Sequence, residues 1–387
     1  SADIIPAINQ IQKKLDNTTA LISYHLSEEG LLSFLITGTK FNYFRTSLNN
    51  VFYNEIESFQ NSLHNVDQEK NYDGTIYAMN LYRVLIRPLK HGLNNIKRLI
   101  IIPDDELNYL PFEALQNEEK RYLTEQFSVT YQYSATLFDQ RKNTSYARGT
   151  LGFAPFTNEA YTDETGTVYS QLPSSQNELS NIKGLAFTST SAKKDSFVSK
   201  ANHFGIIHLA THASINNEDP SRSFILFNPS EKDNKLFSRE IYNLTLDSTQ
   251  LVILSACETG TGKLIKGEGL MSLSRAFAYA GCPNIITSLW KASDKTTAFL
   301  TGQVHYYLEK GLSRDMALQQ AKLDLLANKE IEPRYKTPSY WSHLILIGNY
   351  EPFHKNNNWW WIAIVLIAGA FIYKAVKNKS LSASRKA

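Results

Sequence analysis

Two apolar runs of equal length end on residues that could do nucleophilic chemistry together. Residues 206–212 read IIHLATH and close on His212; residues 251–257 read LVILSAC and close on Cys257. Each is followed by small or turn-forming residues, Ala213 and Ser214 after the first, Thr259 and Gly260 after the second. A thiol needs a nearby base or positive charge to become a thiolate near neutral pH, and histidine is the usual partner. If the runs are neighbouring parallel strands, both side chains reach one sheet edge, and backbone N–H groups just past the strand ends can form an oxyanion hole. Taken singly, a buried cysteine is more often a small hydrophobe, and a strand histidine is more often simply hydrogen-bonded. Shared placement favours the pair, but adjacency is not written in one sequence, so both readings stand open here.

Two other patterns invite chemistry and fail on spacing. Gly260, Thr261, Gly262 and Lys263 suggest a phosphate loop, but G-x-x-x-x-G-K-[ST] needs Gly at 257 and Ser or Thr at 264, where Cys and Leu stand. His208 and His212 are four apart, as in a helical zinc motif. In a strand that spacing is about 13 Å, and the glutamate of H-E-x-x-H is absent.

The elements that must position the pair are strands buried on both faces. Residues 99–102 (LIII), 206–209 (IIHL), 251–254 (LVIL) and 284–289 (NIITSL) are short, rich in β-branched residues and lack strict polar alternation. Helical patterns at 268–280 and 312–328 separate or follow them. Alternating strands and helices predict an α/β sandwich around a central, mostly parallel sheet, with the site beyond the carboxyl ends of the strands. Upstream, 21–27 and 31–37 read as a hairpin around Glu28, Glu29 and Gly30, followed by helical spacing at 50–65 and 73–87. That predicts a small N-terminal α/β subdomain over residues 1–97 and a core over 98–350. The polar stretch 157–175 reads as a long surface loop.

Composition narrows the classes. Of 387 residues, 42% are hydrophobic and 20% charged, with 21 Tyr and 20 Phe, an ordinary globular balance. Five basic residues in the last fourteen (Lys374, Lys377, Lys379, Arg385, Lys386) exceed the net charge of +3, leaving about −2 for the rest. No basic field points to nucleic acid. Two cysteines, Cys257 and Cys282, exclude a disulfide framework and a four-cysteine zinc site. The chain starts at Ser1 with neither Met nor signal peptide, which reads as a processed form or a fragment.

After a linker at 351–358, the segment 359–376 begins WWWIAIVLIAGAFIY, uncharged up to Lys374. Eighteen helical residues span about 27 Å, close to a bilayer's hydrocarbon thickness. Three Trp at one end and Tyr373 at the other resemble aromatic belts. The sequence therefore predicts one C-terminal transmembrane helix, a basic tail at 377–387 on the cytoplasmic side, and a catalytic domain outside it, periplasmic in a bacterium.

Several motifs together carry a family resemblance: HLATHA at 208–213, LSACETGTG at 254–262, GEG at 267–269, RAFAYAG at 275–281 and SLWKASDKTT at 288–297. IIIPDDELNYLPFEAL at 100–115, LPSSQNEL at 172–179 and the stretch 8–36 extend it, so that residues 8–350 resemble the CHAT family, caspase- and separase-related peptidases commonly found behind tetratricopeptide repeats. The resemblance implies a caspase-like three-layer sandwich, with residues 1–97 as a pseudo-caspase-like unit. It implies a cysteine endopeptidase with Cys257 as nucleophile and His212 as general base, acting on a protein substrate without cofactor or metal. Backbone N–H groups of Ala213 and Cys257 would form the oxyanion hole; the family usually has Gly where Ala213 stands. Asp294 would receive a basic P1 residue, with Glu258 and Trp290 beside it; the alternatives are a helix-capping Asp294 and a solvated Glu258. A repeat array upstream would bind a regulatory protein. The rival function is an inactive, membrane-tethered scaffold of the same fold.

Overall fold

The computed structural model describes residues 6–64, 72–139, 147–180, 182–216, 218–255 and 269–350. Within them the chain forms β1 (Thr19–Ser27), β2 (Gly30–Thr37), β3 (Phe41–Thr46), β4 (Arg98–Ile102), β5 (Ser128–Tyr131) and β6 (Thr150–Ala154). Next come β7 (Tyr161–Thr162), β8 (Val168–Tyr169), β9 (Gly184–Thr188), β10 (Ile206–Leu209), β11 (Ala213–Ser214), β12 (Phe224–Leu226) and β13 (Lys235–Phe237). The last three are β14 (Leu251–Leu254), β15 (Ile285–Ser288) and β16 (Leu344–Ile347).

Eleven of these strands make one sheet in the order β3-β2-β1-β4-β5-β16-β15-β14-β10-β6-β9. Seven of its ten pairings are parallel, so the sheet is mixed but mostly parallel, as expected. The apolar runs explain the centre. All four residues of β14 are fully buried, which fits a parallel strand covered on both faces. In β1, Ala20 and Ile22 join the main core while Leu21 faces a second, smaller one. That smaller core is closed by Ile11 of the Ile8–Gln12 helix and Phe138 of the Ala135–Asp139 helix. On the opposite face the Asn50–His64 helix buries Phe52, Ile56, Phe59 and Leu63, the i, i+4, i+7, i+11 stripe of an amphipathic helix. The turn between β1 and β2 needs Gly30, whose φ is +124° and where a Cβ would stand 2.4 Å from the Thr46 carbonyl oxygen.

The N-terminal strands extend the same sheet, because β1 pairs with β4. The two halves of the sheet meet where β5 and β16 share one register pair, Tyr131 with Ile347. Side chains reinforce this seam. Thr130 donates to the Gly348 carbonyl at 2.8 Å and Gln132 to the same oxygen at 2.7 Å. The Arg314–Ala327 helix adds two buried ion pairs, Asp315 with Arg98 at 2.6 Å and Lys322 with Glu113 at 3.0 Å.

Two expectations are corrected. Stretch 157–175 is not simply a surface loop: it holds the β7–β8 hairpin, and Asp163, Tyr169 and Ser175 are buried. Its polar residues bond to its own turn, so polarity here did not mean exposure. The single-pass membrane anchor and the extracytoplasmic placement derived from it also fall. Among the described residues no helix is long and apolar enough to cross a membrane. The longest, Asp294–Glu309, has 16 residues with charges at both ends, short of the ~20 apolar residues a span needs. Segment 359–376, on which that expectation rested, lies outside the described residues.

Candidate active site

The site begins with strand register. β10 and β14 are adjacent and parallel, with Leu209 opposite Leu254. His212 is three residues beyond Leu209, as Cys257 is three beyond Leu254 in the sequence. Register continues one residue further, where the Ser255 N–H donates to the Leu209 carbonyl at 3.2 Å. Cys257 and Glu258 themselves lie outside the described residues.

His212 is 1% exposed and tightly held. Its carbonyl accepts the Leu226 N–H at 2.9 Å, and the preceding Thr211 hydroxyl donates to the Leu226 carbonyl at 2.6 Å. Phe156 meets the imidazole edge-to-face at 4.6 Å between centroids, and Tyr169 lies 5.5 Å away on a tilt. Nε2 lies 2.7 Å from the Ser170 carbonyl oxygen. A carbonyl only accepts, so Nε2 carries the proton, and in the neutral ring Nδ1 holds the basic lone pair.

Ala213 is extended and opposite Ile225. The bond from Leu226 N–H to the His212 carbonyl makes Ala213–Ile225 a non-hydrogen-bonded pair, so the Ala213 N–H points away from β12. No left-handed backbone is needed here: Ala213 is not among the positive-φ residues. Alanine in the usual glycine position is therefore unstrained.

Asp294 is the first residue of the Asp294–Glu309 helix, with Ser293 in the capping position. It does not cap its own helix in the ordinary way. Its Oδ2 accepts the Ser174 N–H at 2.6 Å, four residues after the carbonyl that holds His212. Burial pushes its carboxyl above the usual carboxylate range; the Ser174 bonds oppose this and the Glu178 charge adds to it. The 170–174 segment thus touches both His212 and Asp294. Trp290 is 2% exposed, its indole N–H donates to the Ser339 carbonyl at 3.1 Å, and its ring contacts those of His64 and His343.

A second polar cluster lies deeper. His208 bridges Glu178 Oε2 and His305 Nε2, each at 2.9 Å, and Thr301 donates to the same Glu178 oxygen at 3.0 Å. Burial, followed by the neighbouring His208, holds His305 well below the ordinary histidine range. Both ring nitrogens of His208 are occupied by side chains other than His212, which keeps the two histidines separate, as their strand spacing requires. Cys282, at the opposite end of β15 from Trp290, is 1% exposed, and burial pushes its thiol up to about 12. Among the described residues no group of His, Cys, Asp or Glu is arranged to hold a metal ion.

Sequence reasoning missed Phe156, Tyr169 and Ser170. Ser170 acts through a backbone carbonyl, which leaves no residue-type signal. Ser174 and Glu178 fall within the LPSSQNEL motif, which marked the segment but not its contacts.

In comparisons with known proteins, the family described as the CHAT domain matches residues 75–349. Tetratricopeptide repeat protein 28 of Homo sapiens is 22% identical over 380 residues, covering 83% of this chain and 15% of that protein. Its Mus musculus counterpart is 22% identical over 326 residues, covering 70% and 13%. The chain therefore spans a small part of the curated relatives it matches. Looser likenesses are found to a Saccharomyces cerevisiae separase–securin complex (TM-score 0.49, 10% identity, 88% of this chain and 31% of that one). Another is to the Arg-specific cysteine proteinase gingipain R (TM-score 0.46, 7% identity, 78% and 76%).

Proposed function

This chain belongs to the CHAT family, and we propose that it is a caspase-like cysteine endopeptidase with Cys257 as nucleophile and His212 as base. The observation that carries this reading is the register of β10 and β14: two adjacent parallel strands in which His212 and Cys257 follow opposed residues at equal distance. The tautomer supports it. With its Nε2 proton engaged by Ser170, His212 has Nδ1 to accept the thiol proton.

In this mechanism Nδ1 takes the proton from the Cys257 thiol, and the thiolate adds to the scissile carbonyl. The N–H groups of Ala213 and Cys257 stabilise the resulting oxyanion. Collapse breaks the C–N bond, and the His212 imidazolium protonates the leaving amine, leaving a thioester. His212 then deprotonates a water that attacks the thioester, and the acid product leaves as the thiol is restored.

Asp294 is proposed to receive a basic P1 residue, its carboxylate meeting a guanidinium or ammonium. Glu258, next to the nucleophile in sequence, and Trp290 are proposed to share that pocket. The relatives are named for tetratricopeptide repeats, which fits a peptidase governed by a protein partner bound elsewhere in a longer chain.

The test is a cysteine-directed activity probe on the purified chain. Labelling of wild type that disappears in Cys257→Ala and falls sharply in His212→Ala supports the reading. An intact fold with no labelling and no cleavage assigns the chain to the rival class, an inactive scaffold.

A further inference from the structure

The ring of His212 is supported from two directions by one small three-stranded sheet. Directly, His212 leads into β11, which pairs with β12, which pairs with β13. Indirectly, the far end of that sheet reaches back to the ring through the β7–β8 hairpin. Lys235, the first residue of β13, places Nζ 3.2 Å from Asp163 Oδ2 at the hairpin turn. The other carboxylate oxygen of Asp163 accepts the Thr165 N–H at 2.9 Å, the Thr165 hydroxyl at 2.6 Å and the Thr167 N–H at 3.1 Å. Asp163 therefore organises the turn with one oxygen and ties it to β13 with the other. From that turn β8 runs directly to Tyr169, against the imidazole, and to Ser170, whose carbonyl holds Nε2.

The circuit closes from His212 through β11, β12, β13, Lys235, Asp163 and β8 back to His212. We propose that Asp163 and Lys235 are positioning residues for His212, acting through Ser170 to fix the Nε2–H tautomer and the direction of Nδ1. This rests on the reading of His212 as the base. Its physical basis is that a hydrogen bond from a well-placed acceptor selects the imidazole tautomer, so displacing that acceptor releases the choice. The pair joins a nearly buried carboxylate, 4% exposed, to a lysine 21% exposed, a setting where an ion pair is less screened than at the open surface. Other contacts also hold the hairpin: the Leu172 N–H on the Phe156 carbonyl at 2.8 Å, Gln171 on the Thr157 carbonyl at 2.9 Å, and Tyr169 packed with Phe156 and Leu226. The Asp163–Lys235 pair is the contact that joins the turn itself to β13.

The test reads the ring itself. In 15N-imidazole NMR spectra of the full chain, with the His212 signal assigned by its loss in His212→Ala, wild type should show the Nε2–H tautomer alone. Asp163→Asn keeps an oxygen for the turn but removes the charge; Lys235→Met keeps length but removes the cation. Each should introduce a clear Nδ1–H population, the double variant should add little to either single, and Lys235→Arg should retain the wild-type spectrum. With a cleavable substrate, each single change should lower kcat on the order of ten- to a hundredfold with KM nearly constant. An unchanged tautomer in both folded single variants, or additive effects in the double, overturns the proposal. The two readings fail differently: an inactive wild type defeats the peptidase, whereas an unchanged imidazole in the variants defeats the positioning role.

Discussion

The imidazole Nε2 of His212 and the carbonyl oxygen of Ser170 lie 2.7 Å apart across 42 residues of sequence. That bond and the ring contact from Phe156 immobilise the histidine more than a strand-end residue would be by its own backbone. Phe156→Leu should keep most of the volume and cost under about 1.5 kcal/mol in stability, because swaps that keep hydrophobic volume are well tolerated. It should cost far more in turnover, since Leu lacks the flat edge-to-face contact at 4.6 Å. Denaturant unfolding beside kcat checks this; equal loss in both would reduce Phe156 to a core residue.

Asp294→Asn should weaken cleavage after Arg or Lys much more than after apolar residues. Asparagine still offers an oxygen to the Ser174 N–H, so the geometry survives while the charge is lost. The pH dependence has a definite sign. Burial raises the folded-state carboxyl above its ordinary 3.8, so on acidification Asp294 loses its charge earlier than a solvated aspartate. Affinity for basic P1 residues should fall as pH drops through that raised value, and more steeply than affinity for apolar ones. A P1 library cleaved after Asp or after large apolar residues would contradict the role.

Alkylation should separate the two cysteines. Cys282 is buried, and its thiol, pushed up to about 12, stays protonated at neutral pH, with Sγ against the Asn284 carbonyl. Iodoacetamide at pH 7.5 followed by peptide mass spectrometry should find Cys257 modified and Cys282 untouched until the chain is unfolded. Modification of native Cys282 at a matching rate would contradict this.

Lys322 and Glu113, 1% and 3% exposed, tie the Arg314–Ala327 helix to the N-terminal half of the sheet. Burial lowers the Lys322 pKa, and the Glu113 carboxylate opposes that shift. Tyr131 donates to the second Glu113 oxygen at 2.5 Å. Lys322→Met should therefore destabilise by about 3–5 kcal/mol, because it strands a buried carboxylate. Combining it with Glu113→Gln should cost less than the sum of the two singles. Urea unfolding of the four proteins checks this, and strict additivity would show that the pair does not couple.

The parts of the fold legible in the sequence were those built from apolar pattern. Runs 206–209 and 251–254 are β10 and β14 to the residue, and helical spacing at 50–65 holds the Asn50–His64 helix. Placing His212 beyond a strand end followed from the same pattern. The β7–β8 hairpin was hidden because its order comes from Asp163 and threonines bonding within the turn, which in sequence look like solvated loop. Ser170 was hidden because a carbonyl is common to every residue. Edge strand β3 was hidden because FNYFRT is largely exposed and carries no core stripe. Trp290 drew attention through its motif, and its ring contacts with His64 and His343 carried no signal in the sequence.

The most direct test of the central claim is proteome-wide cleavage-site mapping with wild type against Cys257→Ala and His212→Ala, each confirmed folded by its thermal melt. The account predicts new protein N-termini generated by wild type, preferentially after Arg or Lys, and absent from both variants. Cleavage persisting above a few per cent in either folded variant, or a folded wild type that generates no cleavage sites beyond those of the variants, would contradict it.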